Sequence, residues 1–182
     1  MVNLSKPKLT LLQQEILGLL FVKAGTVLNQ RQIANLLNVT QPAVQKALPC
    51  LEKTKLIKVA QDKLTKRWAI ELNRESARAM QLKRVDNLKQ LYLSGLVDHL
   101  EEKFAGGTIV LFGSYSRGDD VINSDIDIAV IGRKDKEIKV SLYEKLLERE
   151  ININFYPSFK EIHKNLLDNI CNGIVLAGGI DL

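Results

Sequence analysis

The chain has 182 residues, 46% of them apolar and 26% charged, which is enough for one domain or two small ones with real cores. Its two cysteines, Cys50 and Cys171, lie far apart, which argues against a disulfide framework and a cysteine metal knuckle. No apolar run approaches a membrane span or a signal core, so we expect no membrane partner and a cytoplasmic protein.

Charge is distributed unevenly along the chain, and this distribution favours two domains. Residues 1–95 hold 16 Lys/Arg against 6 Asp/Glu, a balance of +10, whereas residues 96–182 hold 10 against 15, a balance of −5. A basic half suits a polyanion such as nucleic acid, and an acidic half suits cations. Together with the helix, hairpin and motif patterns along the chain, this asymmetry predicts one domain at 1–74, a connecting segment at 75–103 and a second domain at 104–182.

The basic half begins with two helix-start signatures. Thr10 with Gln13, and then Asn29 with Gln32, are the residue pairs of a capping box. In such a box a side-chain oxygen and an amide three residues later satisfy the free N–H groups of the first turn. Apolar residues recur at helical spacing after each pair, so each signature predicts a helix.

A third helix is predicted from Gln41 onward, with Pro42 in its first turn, where a missing N–H costs little. Its two faces differ in polarity, with Val44, Leu48 and Leu51 on the inner face and Gln41, Gln45 and Lys46 on the outer face. Two short strands follow at 57–60 and 68–72. The turn between these strands is basic, with Lys63, Lys66 and Arg67.

Three helices followed by a basic β-hairpin resemble the winged helix-turn-helix family over about residues 8–73. In that family the third helix enters the major groove of double-stranded DNA, and the wing contacts the backbone or the minor groove. The residues that the resemblance assigns to DNA are Gln41, Gln45 and Lys46 for the bases, and Lys63, Lys66 and Arg67 for the phosphates. Winged helices also serve as protein–protein modules, and this alternative stays open.

Residues 75–103 contain few helix breakers and predict one long helix, or two collinear helices, joining the two halves. Apolar residues recur there every three or four positions, at Leu82, Val85, Leu88, Tyr92, Leu96 and Leu100, and Gly95 is the weak point. An apolar stripe of this kind has to pack against another apolar surface. Either the second domain or the same helix of a second subunit would provide that surface, so a homodimer is one of two open alternatives.

The second half opens with a glycine turn after a buried strand predicted at 108–112. Gly113 permits a sharp turn with the backbone close to a ligand. Ser114 would stand at a helix N-terminus, which favours phosphate, and Arg117 offers a charged fork suited to phosphate oxygens. Asp119 and Asp120 follow in a polar loop, where we expect them to be solvated, although contacts with the groups that hold a metal ion stay open.

A second strand is predicted at 124–131, and it carries two carboxylates on one face. Because strand side chains alternate, Asp125 and Asp127 would point to the same side, about 7 Å apart. Mg²⁺ prefers one or two carboxylates together with substrate phosphates and water. Two such ions can stabilise both the attacking and the leaving oxygen of a phosphoryl transfer. The two aspartates are therefore candidate metal ligands and catalytic residues.

The segment GSYSRG followed by SDIDIAV resembles the nucleotidyltransferase superfamily of DNA polymerase beta, and its minimal nucleotidyltransferase branch, over about residues 104–182. This family transfers a nucleoside monophosphate from an NTP to an acceptor hydroxyl and releases pyrophosphate. The resemblance implies an NTP substrate, Mg²⁺ or Mn²⁺, and Asp125 and Asp127 as metal ligands. The residues it assigns to the nucleotide are Gly113, Ser114, Arg117 and Ser124, although Arg117 could instead brace the loop.

The chain departs from this family at a third carboxylate, which is expected on a later strand. The candidate strand is 151–156, where Asn152 is the best match for that acid and Asn154 the second. An asparagine carbonyl can bind a hard cation, but it carries no charge and cannot take a proton. We assign Asn152 as the third metal ligand, and Glu150 would substitute if the strand register shifted.

The sequence supports an α+β fold with a winged helix-turn-helix domain, a long connecting helix and a small nucleotidyltransferase-fold domain with a mixed sheet. The leading function is a Mg²⁺-dependent nucleotidyltransferase acting on a protein, a small molecule or a nucleic-acid end. A protein acceptor ranks first, because minimal nucleotidyltransferases resemble antitoxin-like partners that modify a second protein. The alternative is a DNA-binding transcriptional regulator whose second domain binds NTP without turnover, because the third carboxylate is absent.

Overall fold

A computed structural model describes residues 9–61 and 67–181 of the chain. The fold is α+β and divides into two compact units, Met1–Ala79 and Met80–Leu182. Within the described ranges, no helix combines the length and the apolar character needed to cross a membrane.

The first unit has the element order of a winged helix. Its elements are α1 (Leu11–Val22), α2 (Gln30–Leu36), α3 (Gln41–Lys53), β1 (Ile57–Gln61) and β2 (Trp68–Leu72). The two strands pair as an antiparallel hairpin, and a bridge between Leu28 and Ile70 adds the segment before α2 to that hairpin. This topology confirms the winged helix-turn-helix fold predicted for the basic half.

Both predicted capping boxes are present in the first unit. Thr10 N donates to Gln13 Oε1 at 2.9 Å, and Gln13 N donates to Thr10 Oγ1 at 3.3 Å. Asn29 and Gln32 make the same reciprocal pair at 2.8 and 2.9 Å. The inner stripe of α3 is buried, as predicted, and it shares the core with Ile16, Leu20 and Ile33. Each such aliphatic side chain contributes about 1.5–3 kcal/mol when it is fully buried.

The second unit is built on a four-stranded mixed sheet. Its strands are β3 (Thr108–Phe112), β4 (Ile126–Ile131), β5 (Ile151–Tyr156) and β6 (Ile174–Ala177), in the order β5-β4-β3-β6. Strands β4 and β5 are parallel, and β3 is antiparallel to both β4 and β6. The helices are α4 (Ala77–Leu93), α5 (Leu96–Lys103), α6 (Gly113–Arg117), α7 (Ser141–Leu147) and α8 (Lys164–Cys171), with a 3₁₀ turn at Phe159–Glu161.

Apolar side chains cover both faces of this sheet. On one face, α4, α5 and α7 pack against the buried strand residues Ile109, Leu111, Ile126, Ile128 and Val130. On the other face, the 3₁₀ turn and α8 pack against Val110, Phe112, Ala129 and Ile131. Both faces of the sheet are thus largely apolar, and the two aspartates of the candidate site lie at the start of β4.

The segment predicted as a connecting helix forms two helices, and most of it lies in the second unit. The break falls at Gly95, which has a φ of +77°. The buried face of α4 is not the predicted stripe: Leu91 is fully buried, whereas Leu82 and Val85 are exposed. The buried face instead follows Ala79, Lys83, Asn87 and Leu91, and two of these residues are polar. A count of apolar residues alone therefore selected the wrong side of this helix.

Two glycines with positive φ differ in their surroundings, so substitutions at them measure the cost of backbone strain with and without steric crowding. A Cβ at Gly118 (φ +80°) would lie 2.7 Å from Met80 O and 2.8 Å from Arg84 N, whereas a Cβ at Gly95 would meet nothing within 4 Å. Gly95→Ala should therefore lose only about 1 kcal/mol of unfolding free energy, for the left-handed backbone. Gly118→Ala should lose about 2–4 kcal/mol, because overpacking is added. Urea unfolding measures both values, and equal losses would contradict the contact between α6 and α4.

Candidate functional site

The two aspartates stand at the start of β4, with Asp127 inside the strand and Asp125 one residue before it. The strand begins later than the predicted position 124. A local turn occupies the preceding backbone: Val121 N donates to Ser124 Oγ at 3.0 Å, and Ser124 N donates to Val121 O at 2.9 Å. The ladder to β5 then begins where Ile126 N donates to the carbonyl of Glu150 at 2.8 Å.

Asp127 lies directly against the glycine turn. It pairs with Phe112, the last residue of β3, and Gly113 follows at once. Gly113 has a φ of +74°, and a Cβ there would lie 2.5 Å from Asp127 Oδ2. Only a residue without a side chain allows this approach. The turn therefore brings the start of α6, with Ser114 in its first turn, next to a carboxylate.

Asn152 completes the group from β5. It pairs with Asp127 in the parallel ladder, and its Nδ2 donates to Asp125 Oδ2 at 3.1 Å. Asn154, the second match, pairs with Ala129 further along the strand. The strand register therefore places Asn152 at the position where the third ligand was predicted.

The donors of this group fit a hard cation. Two carboxylates and an amide oxygen are oxygen ligands of the kind that Mg²⁺ takes, together with substrate phosphates. Across residues 9–61 and 67–181, no cluster of three His, Cys, Asp or Glu side chains is arranged for a metal ion. Asn152 is the polar side chain that β5 brings beside the two aspartates, so it is the candidate third ligand.

Two other predicted nucleotide residues make local contacts. Arg117 Nε donates to Asp119 Oδ2 at 3.2 Å, and its Nη1 donates to Asn169 Oδ1 of α8 at 3.3 Å. Arg117 thus braces the loop after α6, which is one of the two roles left open for it. Ser124 Oγ accepts a bond from the backbone of its own turn. Roles for both residues in nucleotide binding stay predictions.

A cleft of about 670 Å³ opens beside Asp125 and Asn152. Its size falls in the range of small-ligand sites. The walls are the segments 122–125 and 148–152 together with one face of α7. Its ionisable lining residues are Asp125, Glu144, Glu148 and Glu150 against Lys145 and Arg149. The excess of carboxylates favours a neutral or cationic group over a second anion.

Sequence reasoning missed a buried charged cluster next to this cleft. Asp120, expected to be solvated, is 1% exposed, so that expectation is wrong. Its Oδ1 lies 2.5 Å from Lys83 Nζ and accepts a bond from Asn87 Nδ2 at 2.7 Å. Its Oδ2 lies 3.6 Å from Arg149 Nη2. The available signal was the four-residue spacing of Lys83, Asn87 and Leu91 on one face of α4.

Burial shifts the proton affinity of two groups in this cluster. It lowers the pKa of Lys83, and the adjacent Asp120 carboxylate offsets part of that effect. Burial also raises the pKa of Tyr115, so its hydroxyl stays neutral and donates to Asn87 O at 3.4 Å. The cluster therefore combines a strong ion pair with a neutral phenol.

The predicted DNA contacts of α3 are on its outer face. Gln41, Gln45 and Lys46 are all exposed, and so is Arg67 at the start of β2. Lys63 and Lys66 lie outside the described residues. A second cleft, of about 400 Å³, is lined by Asn29, Gln30, Arg31, Gln41, Arg67 and Trp68. The structure thus brings the start of α3 and the base of the wing together, and it adds Arg31, which the sequence analysis did not select.

Residues 93–175 match the family model described as a nucleotidyltransferase domain. The second unit therefore carries a nucleotidyltransferase domain, and this match includes Gly113, both aspartates and Asn152. A relative from Methanocaldococcus jannaschii, named "Putative protein adenylyltransferase MJ0604", is 45% identical over 53 residues. These residues are 28% of this chain and 53% of the relative, so the chain spans about half the length of the curated relative it matches.

Solved structures with partial similarity are bacterial regulators. The adhesin competence repressor AdcR of Streptococcus pyogenes is 26% identical with a TM-score of 0.41, over 54% of this chain and 69% of that chain. A complex of S. aureus MepR with DNA is 28% identical with a TM-score of 0.37, over 52% and 81%. The winged-helix assignment rests on the order of the helices and strands in this chain.

The contact between Asn152 and Asp125 predicts a metal-dependent change in stability. Asn152→Asp replaces a donor with a third carboxylate, so without divalent ions it should lose about 0.5–1.5 kcal/mol of unfolding free energy. Added Mg²⁺ or Mn²⁺ should then raise its melting temperature more than that of the wild type. Asn154→Asp is the matched control on the same strand. Equal metal-induced shifts in the two variants, measured by thermal unfolding, would contradict a cation site at Asn152.

Proposed function

We propose that this chain transfers a nucleoside monophosphate from an NTP to a hydroxyl of an acceptor protein, and that its winged helix binds double-stranded DNA. The observation that carries the transfer activity is the convergence of Gly113, Asp125, Asp127 and Asn152 from three adjacent strands. A glycine turn beside a set of hard oxygen ligands supports the proposal, because an NTP with its metal needs both.

Each residue has a role in this proposal. The first-turn N–H groups of α6, with Gly113 and Ser114, face the triphosphate, because free N–H groups at a helix start favour anions. Asp125 and Asp127, with Asn152 as a neutral ligand, hold Mg²⁺ or Mn²⁺. The bound cation would neutralise charge on the phosphates and the departing pyrophosphate. Gly113 has the further role of keeping the turn close to Asp127, so that the turn would face a phosphate whose oxygens bind the cation held by Asp127.

The neutral third position has a chemical consequence. Asn152 cannot accept the proton of the acceptor hydroxyl, so another group has to take it. Glu150 lines the cleft two residues before Asn152 and would take this proton. The backbone pairing of Glu150 with Ile126 holds the residue at the mouth of the site.

A protein acceptor has two lines of support. The relative from M. jannaschii is named as a protein adenylyltransferase, although only about half of it is matched. In addition, α7 presents Leu142 and Leu146, which are 62% and 60% exposed, while other residues of the same helix line the cleft. The comparisons do not favour the alternative in which NTP binds without turnover. Homodimerisation stays a prediction.

Transfer is tested by incubating the protein with radiolabelled ATP, Mg²⁺ or Mn²⁺, and peptides containing Tyr, Ser or Thr. We expect pyrophosphate release and label on a peptide, and Asp127→Asn should slow both on the order of 100-fold. Asn152→Asp should raise the rate, because it supplies the missing carboxylate. Asp135→Asn, in an exposed loop, is the control. Nucleotide binding without pyrophosphate release on any acceptor would instead support the regulator.

DNA binding is tested by the salt dependence of affinity for a duplex library. Phosphate contacts release counterions, so affinity should fall steeply as salt rises. Arg67→Ala should reduce the slope of log K against log salt by about 1, whereas Gln45→Ala should change sequence preference and leave the slope intact. Lys103→Ala, on the exposed side of α5, is the control. An affinity independent of salt would exclude this role for the first unit.

A further inference from the structure

The loop between α6 and β4, residues 118–125, sets the position of Asp125 relative to the glycine turn. It contains no helix or strand, so side-chain contacts have to hold it in place. Asp120, near its middle, is 1% exposed. A carboxylate so deeply buried needs charged or hydrogen-bonding partners, because water cannot solvate it.

Asp120 is held by side chains from two other parts of the unit. Lys83 and Asn87 reach its Oδ1 from α4, at 2.5 and 2.7 Å, and Arg149 reaches its Oδ2 from the turn before β5, at 3.6 Å. Asn87 Nδ2 also donates to the carbonyl of Tyr115 at 2.9 Å, so the same amide holds α6. Two buried cations thus face one carboxylate, and loss of that carboxylate would remove the negative charge that both of them face.

Two of these contacts, together with the chain segments that join them, form a closed ring of residues beside the candidate site. The chain runs from Asp120 to Asp125, which is bonded to Asn152 at 3.1 Å. From Asn152 the chain leads back to Arg149, which meets Asp120. Both covalent segments of the ring line the 670 Å³ cleft. The ion pair therefore fixes one end of the ring, and the Asp125–Asn152 contact fixes the other.

We infer that Asp120 is a positioning residue, which acts through Lys83 and Arg149 to hold Asp125 and Asn152 at the separation that a metal-bound nucleotide requires. The part concerning nucleotide rests on the proposed function, whereas the placement of Asn152 by Asp120 does not. Groups that hold a metal ligand in place commonly change metal affinity by about 10- to 100-fold when they are lost. The cluster is thus expected to affect binding as well as stability.

The test uses two changes at Asp120 in the full chain. Asp120→Asn keeps the shape and removes the charge. Lys83→Met combined with Asp120→Leu replaces the buried pair with apolar groups, which often restores stability. The double variant still lacks the contact between position 120 and Arg149. It should therefore unfold closer to the wild-type temperature than Asp120→Asn does, because only Arg149 is left without its buried carboxylate, and it should not restore the position of Asn152. Asp135→Asn is the control for loss of an exposed carboxylate.

Two measurements follow at a temperature well below unfolding. The first is the NMR signal of the Asn152 side-chain amide, assigned by its disappearance in Asn152→Asp, which should shift in both Asp120 variants and stay in place in the control. The second is calorimetric binding of Mn²⁺ with α,β-methylene-ATP, an analogue that cannot transfer its nucleotide. Its affinity should fall about 10- to 100-fold in both variants.

Each outcome bears on the inference. Unchanged Asn152 signals in folded Asp120 variants would overturn it. So would a double variant that recovers the wild-type Asn152 signal together with its stability, because Asp120 would then act on folding alone. If Asp120→Asn does not fold, the double variant gives the answer. If the wild type does not bind the Mn²⁺ complex, the proposed function fails, and the Asn152 signal still tests the positioning role.

Discussion

The candidate site depends on the register of three adjacent strands. Phe112 pairs with Asp127, and Asp127 pairs with Asn152, so a glycine turn, a carboxylate and an amide stand level with one another. A slip of one residue would turn each side chain to the opposite face of the sheet. The apolar layer formed by α4, α5 and α7 opposes such a slip, because the slip would turn Asp127 toward this buried layer. Packing far from the site thus specifies its geometry.

A second constraint comes from the buried ion pairs beside the cleft. Removing charges from water is costly, and a buried pair is weak support for stability when compared with apolar side chains. The cluster fixes the position of Asp120, because Lys83, Asn87 and Arg149 contact its carboxylate from two other parts of the unit. A loop without regular structure thereby acquires a defined position. The surrounding unit supplies the apolar burial that offsets the cost of this cluster.

The chemical character of the site follows from a single amide. With Asn152 in place of a carboxylate, the site carries less negative charge, so it attracts a divalent cation more weakly and repels a triphosphate less. Asn152 also donates to Asp125, which lowers the cost of holding two carboxylates near one another. Under the proposed function, a group in the acidic cleft would take the acceptor proton, so nucleotide placement and proton transfer would depend on different residues.

The sequence by itself determined the local elements, since capping pairs, helical periodicity and the Gly–Ser and Asp–x–Asp motifs act through neighbouring residues. It predicted the winged helix, the mixed sheet and the two aspartates, and it selected Asn152 from strand alternation. Only the tertiary structure decided that Asp120 is buried, that Lys83 and Asn87 face inward, and that Arg117 braces a loop. Those facts depend on contacts between residues distant along the chain. From the sequence alone, a charged residue that becomes buried cannot be told from a solvated one, because its partners lie far away along the chain.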